Sequence, residues 1–268
     1  MPRTAIIIPA RFASTRFPGK PLSMIAGPDG TTRPLLDWTW EAAMAVPGIA
    51  EVAIATDDDR IADHARASGM AVIMTPAECL NGTERCAAAL SGLAAAPDIV
   101  VNLQGDAPLT PPTMVTAVIA RLGSSPEKAM ATAAVSASPT MLRHLQDDAH
   151  EGRVGGTTVV CTGRGEALYF SKSIIPHVPR GAEPLAPVLL HVGLYAYRPA
   201  ALSAYVAQGS SSLERQEGLE QLRFLEAGIA PQLAICPPPP WDLIELNNPG
   251  DRPLIEAQLR RRAETERA

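Results

Sequence analysis

AIIIPARFASTRFPGK, residues 5–20, decides how the rest of the chain is read. Ala5-Ile6-Ile7-Ile8 is a short apolar run of the kind that forms a buried strand. The segment from Pro9 to Lys20 then leaves that strand as a loop carrying three fixed cations, Arg11, Arg16 and Lys20. Pro18-Gly19 stands just before the lysine. Such a loop can turn backbone N–H groups and cations toward one polyanion, which suits a nucleoside triphosphate. The G-x-x-x-x-G-K-[ST] phosphate loop is absent. Taken alone, the same residues read equally well as a surface loop with solvated arginines.

Working outward, strand and helix signals alternate over the first 120 residues. Glu51–Thr56, residues 71–74 and residues 98–103 read as further strands. Between them, residues 34–45, 60–68 and 83–94 have helical spacing, with Gly69 closing the second helix and Asn81 or Thr83 capping the third. This alternation predicts a parallel sheet with right-handed crossovers. Ligands of such sheets bind at the carboxyl ends of the strands. The Pro9–Lys20 loop, Thr56-Asp57 and Gln104-Gly105-Asp106 all fall at such ends, so they are expected to share one site. After Ala129 the pattern becomes strand-rich, with a Gly163-Arg164-Gly165 turn and an alternating run from His191 to Tyr197. Residues 213–226 read as one helix, with Glu214, Glu217 and Gln221 along one side, as a solvated face or a pocket wall.

Composition narrows the function class. The chain has 268 residues, a formal net charge of -5 and 4% aromatics, which argues against a general nucleic-acid binder. A local basic loop on an acidic protein suits a small anionic ligand instead. The four cysteines form no C-x-x-C pair and have no zinc-site spacing, so they are expected to be reduced thiols in a cytoplasmic protein. The first strand begins within a few residues, so no signal peptide is expected, and no apolar run reaches membrane-spanning length.

Several residues could carry chemistry, and each has a plainer reading beside it. Asp106 ends an apolar strand after Gly105, as a Mg²⁺ ligand in nucleotidyl transfer would; it could also cap a turn. Asp57, Asp58 and Asp59 are expected to cap the next helix, with Asp57 bonded to its amides. Asn81 and Glu84 fit a capping box, or their loop could meet a base. His191, Gly193, Tyr195 and Tyr197 share one strand face by period two, either lining a pocket or as half-buried strand residues. G-x-S-x-G and G-x-G-x-x-G are both absent.

The segments IIIPARFASTRFPGKPL, ATDDDRIADHA, NGTERCAAA, VVNLQGDAPL, ALYFSKSIIP, HVGLYAYR and LERQEGLEQLRFLEAGI occur in one order along nearly the whole chain. In this combination the chain resembles the CMP-Kdo synthetase (3-deoxy-manno-octulosonate cytidylyltransferase) family. The resemblance implies an α/β, nucleotide-diphospho-sugar-transferase-like mixed sheet flanked by helices, with an inserted smaller sheet. It implies a single cytidylyltransferase domain whose residues 1–128 form the nucleotide-binding half and 129–268 the acceptor-binding and dimerisation half. A homodimer, a Mg²⁺ requirement and the partners CTP and a small anionic acceptor are also implied. In the family pattern Arg11, Arg16 and Lys20 hold the triphosphate. Pro9, Asn81, Gly82 and Gln104 line the cytosine and ribose site. Asp106 binds Mg²⁺, with Lys20, Arg16 and Asp106 as the catalytic group, and His191, Tyr195, Glu217 and Gln221 match the acceptor pocket.

Five positions depart from the family pattern. Ala107 replaces the Glu of QGDEP, and Asn247 replaces the Asp of a C-terminal Asp-Thr-Pro, the second metal ligand. Thr158, Gly155 and Leu190 stand where the family has Lys, Asn and Arg. An amide oxygen can still bind a cation but brings no charge. Loss of polar partners should weaken binding of a polyhydroxy acid. A small phosphonate such as phosphonoformate is therefore an expected acceptor alongside a Kdo-type 2-keto sugar acid. A CTP-binding relative without catalysis is the alternative.

Overall fold

Thr4–Pro9 (β1) is buried at every position, as a strand sandwiched by helices must be. The computed structural model describes residues 2–13, 17–179 and 181–267. The chain divides into two compact units, Met1–Thr116 with Pro239–Ala268, and Ala117–Pro238.

In the first unit, β1 is followed by a two-stranded antiparallel sheet of β2 (Met24–Ala26) and β3 (Thr32–Pro34). Helix α1 (Leu35–Met44), β4 (Glu51–Thr56), α2 (Asp59–Ala67), β5 (Val72–Met74), α3 (Gly82–Ala89) and β6 (Ile99–Leu103) then alternate. The parallel strands lie in the order β6-β1-β4-β5, so the chain moves outward from β1 to β5 and returns to pair β6 on the other side of β1. The strand order therefore reverses between β1 and β6, the place where such sheets bind ligands. The helix expected over residues 83–94 is shorter: Asn81 caps it by accepting from Glu84 N at 2.9 Å, and a 3₁₀ turn, Leu90–Gly92, replaces its end.

The terminal segment completes the core of this unit. Trp38 and Trp241 pack with Ile25, Leu35, Leu109, Leu246, Ile255 and Leu259, the last two from the C-terminal helix Arg252–Arg267. Each indole N–H has a backbone acceptor, Ile25 O at 3.2 Å and Leu109 O at 2.8 Å, so the large rings are buried without an orphaned donor.

Helix α4 (Pro112–Gly123) carries the chain from the first unit into the second. The second unit contains β7 (Met130–Ser136), α5 (Pro139–His150), β8 (Thr158–Cys161), β9 (Ala167–Ser171), β10 (Leu189–Tyr197), α6 (Pro199–Gln208), α7 (Ser212–Glu217), α8 (Leu222–Glu226) and β11 (Gln232–Cys236). β11 and β7 are parallel, whereas β7–β10, β10–β8 and β8–β9 are antiparallel, so strands of both orientations occur in this α/β fold. All four cysteines are free thiols. No described helix is long and apolar enough to cross a membrane.

The single helix expected over residues 213–226 is two. Gly218, at φ 63°, ends α7 in the left-handed region that glycine enters without a Cβ penalty. The break takes Gln221 off the helix that carries Glu214 and Glu217. Glu214 turns inward and accepts from Nε and Nη2 of Arg223, at 2.8 Å and 2.8 Å, with the Tyr205 hydroxyl donating at 3.2 Å. Burial pulls the Glu214 carboxyl upward, but the Arg223 guanidinium and the Ser211 backbone N–H hold it below the ordinary carboxylate range. This contribution to stability is full above the ordinary carboxylate pKa and is lost as pH falls through the lowered value. Arg223→Met should leave a buried carboxylate without its partner and cost about 3–5 kcal/mol in urea unfolding at pH 7. A change below about 1 kcal/mol would show that the pair is not structural.

Candidate active site

The reversal of strand order in the first unit gathers its candidate residues. Gly105, just past β6, sits so close to β1 that a Cβ there would lie 2.8 Å from Pro9 O. Only glycine permits that approach without backbone movement. The Thr39 hydroxyl fixes the same turn by donating to Gly105 O at 3.2 Å. With the strand ends held together, Lys20 and Asp106 form a close ion pair, each about one-fifth exposed. Pro9 is buried within β1, Arg11 is exposed just beyond it, and Arg16 lies outside the described residues. The loop's described ends are pinned: Gly19 N donates to Phe12 O at 2.9 Å, and Arg60 stacks over the Phe12 ring at 3.3 Å while chelating Asp58.

Asn81 and Gly82 form the start of α3, facing the end of β6. The position of a Cβ on Gly82 would be 3.0 Å from the Gln104 amide and 3.1 Å from that of Asn102. Asp57 does not cap α2. That role falls to Asp58, which accepts from Arg60 N at 3.0 Å. Asp57 instead pairs with the buried Arg85 at 3.0 Å, and Arg85 also donates to the Thr75 hydroxyl at 2.6 Å. A buried guanidinium needs an anion, and this demand outweighs capping.

Asp106 supplies one hard oxygen donor. Leu246, the residue before Asn247, donates its N–H to Asp106 O at 3.3 Å, and Asn247 N donates to the Asp251 carboxylate at 2.9 Å. One carboxylate and one amide, joined by substrate phosphates, suit Mg²⁺, which commonly takes only one or two protein carboxylates. No cluster of three or more metal-binding His, Cys, Asp or Glu side chains occurs among the described residues. Ala107, at the position of the family's Glu, is buried in the turn after Gly105.

The remaining candidates lie in the second unit. The pairing of β10 with β7 shifts between Val192 and Tyr195, where Gly193 and Leu194 form a bulge. Two extra residues preserve the period-two parity, so the His191, Tyr195 and Tyr197 rings still follow one another, at 5.4 and 5.8 Å. The His191 ring Nε2 is 2.9 Å from the Thr132 hydroxyl, and Phe170 meets its edge at 5.1 Å. Desolvation by these neighbours lowers the His191 pKa to about 3. Tyr195 donates its hydroxyl to Gln221 Oε1 at 3.2 Å, whereas buried Gln221 Nε2 has no hydrogen-bond partner. His191, Tyr195 and Gln221 are thus brought together. Glu217 is tied to β9, accepting from the Ser171 hydroxyl at 2.8 Å and from Lys172 N at 3.0 Å.

A cleft of about 580 Å³, to which no sequence-predicted site residue belongs, is lined by His150, Arg153, Lys172 and His177, with Gln146 and Ser173. The Lys172 backbone joins it to Glu217, and Arg153 in its wall is paired with Asp148 and Glu151. The family departures are accommodated locally. The Thr158 hydroxyl donates to Ser173 O at 2.7 Å and accepts from Ile175 N at 3.1 Å. A Cβ on Gly155 would lie 2.6 Å from the Asp148 carboxylate, so an asparagine there would require that side chain to move.

These features belong to the nucleotidyltransferases. The cytidylyltransferase family profile matches residues 5–235, and the chain belongs to that family. The 3-deoxy-manno-octulosonate cytidylyltransferase of Maricaulis maris is 45% identical over 83% of this chain and 84% of its own length. The protein of the same name from Zea mays is 40% identical over 97% and 82%. The solved structure of a CMP:2-keto-3-deoxy-manno-octonic acid synthetase complexed with CTP superposes with a TM-score of 0.82 at 35% identity, covering 97% of this chain and 99% of that one.

Two outcomes are expected. Lys20→Met should lower cytidylyl transfer about 10²–10³-fold, the usual loss of one preorganised charge partner, while circular dichroism stays unchanged; retained turnover would remove Lys20 from the site. His191 protonates in the unfolded chain below about pH 6.5 but in the fold only near 3, so it costs stability as pH falls through that window. His191→Asn should flatten the fall in melting temperature between pH 7 and 4, and an unchanged slope would contradict the burial argument.

Proposed function

We propose that this cytidylyltransferase transfers CMP from CTP to 3-deoxy-manno-octulosonate, releasing pyrophosphate. The Lys20–Asp106 pair at the joined ends of β1 and β6 is the observation that carries the nucleotide half of this reading. The names of the relatives, and the CTP complex of the solved one, support the choice of nucleotide and acceptor. They give no support to a small phosphonate such as phosphonoformate as the acceptor. An active enzyme is favoured over a non-catalytic relative, because the nucleotide-side motifs and the Lys20–Asp106 pair are both intact.

In this reading Lys20, Arg11 and Arg16 neutralise the triphosphate. Gln104, Asn81, Gly82 and Pro9 border the cytidine. A hydroxyl oxygen of the acceptor attacks the α-phosphorus in line and gives up its proton to solvent water. The bond from that phosphorus to the bridging oxygen breaks, and the electron pair leaves with pyrophosphate. Asp106 and Asn247 would hold Mg²⁺, which supplies charge neutralisation at the phosphates. The rest of the catalysis is positioning and fixed charge. His191, Tyr195, Gln221 and Glu217 take the acceptor side, with Lys172 available to its carboxylate. Mg²⁺ dependence, a homodimer and a cytoplasmic location are proposed on family grounds.

Pyrophosphate release with CTP and Mg²⁺ should be fast with 3-deoxy-manno-octulosonate and at background with phosphonoformate. The reverse preference would overturn the acceptor assignment, and CTP binding without release from either would return the non-catalytic alternative. Asn247→Asp should lower the Mg²⁺ concentration needed for half-maximal rate by about tenfold, as an added carboxylate does near a cation. An unchanged requirement would place Asn247 away from the metal.

A further inference from the structure

Asn102 is fully buried near the end of β6, paired in register with Ile7 of β1. Both polar atoms of its side chain, Nδ2 and Oδ1, lack a hydrogen-bond partner. Burying an amide with neither donor nor acceptor satisfied is costly, and a leucine or valine would fill a strand interior without that cost. The neighbouring strand positions, Val100, Val101 and Leu103, are apolar. The amide lies beside Gln104 against the start of α3, with Nδ2 3.1 Å from where Gly82 would carry a Cβ. Asn102 is thus an unsatisfied buried polar group set directly behind two residues assigned above to the nucleotide site.

We propose that Asn102 is a positioning residue of the nucleotide site, whose amide completes its hydrogen bonds when CTP binds. An asparagine amide offers two donors and one acceptor with two lone pairs, a set that can be filled by the polar edge of cytidine or by Gln104 as that side chain turns to the ligand. Bonds made only in the complex add to nucleotide affinity, while the unbound fold carries the unsatisfied amide. The inference rests on CTP being the nucleotide.

The test compares wild type with Asn102→Leu and Asn102→Asp, the second conserving shape while removing both donors. Melting temperature without nucleotide and calorimetric affinity for CTP are measured for each, followed by kcat and the KM for CTP. Asn102→Leu should melt higher than wild type yet bind CTP about tenfold more weakly or worse, the scale of one or two lost hydrogen bonds. Asn102→Asp should also bind CTP more weakly. In both, KM for CTP should rise more than kcat falls, a split that loss of packing alone would not give. Folded variants that bind CTP like wild type would overturn the proposal, as would an Asn102→Leu protein that is destabilised with unchanged affinity. Should neither variant fold, the Asn102 side-chain NH₂ resonances of ¹⁵N-asparagine-labelled wild type decide: they should shift on adding CTP, and no shift would sink the idea. Failure of wild type itself to bind CTP would instead refute the nucleotide assignment.

Discussion

The close approach of Gly105 to Pro9 O is the constraint on which the nucleotide side of this protein depends. Two parallel strands paired in register bring their carboxyl ends level, but a side chain at position 105 would push them apart. With glycine there, the loop after β1 and the turn after β6 meet, and Lys20 reaches Asp106. The hydroxyl of Thr39, on α1, reinforces the turn. The pair has a cation matched to phosphate and a carboxylate matched to metal, and each charge compensates the other at the strand ends.

Much of this first unit was legible in the sequence. Apolar runs mark β1, β4 and β6, because strands covered on both faces are predominantly apolar. Gly105 and Asp106 could be placed at a strand end for the same reason. The assignment of Asp57 failed because capping is a local preference, whereas the buried Arg85 sits 28 positions away and could not be paired with it from sequence. Helices α4, α5 and α6 escaped the periodicity, although each opens with a proline at its first residue, a start signal independent of hydrophobic spacing.

The second unit was less legible because its architecture rests on breaks in regularity. Gly218 divides what spacing presents as one helix, and the division turns Glu214 inward to Arg223. The bulge at Gly193 and Leu194 interrupts strand pairing, yet because it adds two residues the face carrying His191 and Tyr195 is kept. The replacements at Thr158 and Gly155 looked like lost acceptor partners in the sequence. In the fold Thr158 bonds to a neighbouring loop and Gly155 makes room for Asp148, so these departures speak to local packing more directly than to a change of acceptor.

In the proposed reaction Lys20 acts on the phosphates while the Gly82–Gln104 side acts on the nucleoside. Calorimetric titration of cytidine, CMP and CTP into wild type and Lys20→Met separates the two most directly. Cytidine should bind both proteins alike, whereas CTP should lose at least about tenfold in affinity for the variant, the equivalent of roughly 1.4 kcal/mol. Equal weakening of cytidine and CTP would contradict this division, because Lys20 would then support the fold of the site rather than contact the triphosphate.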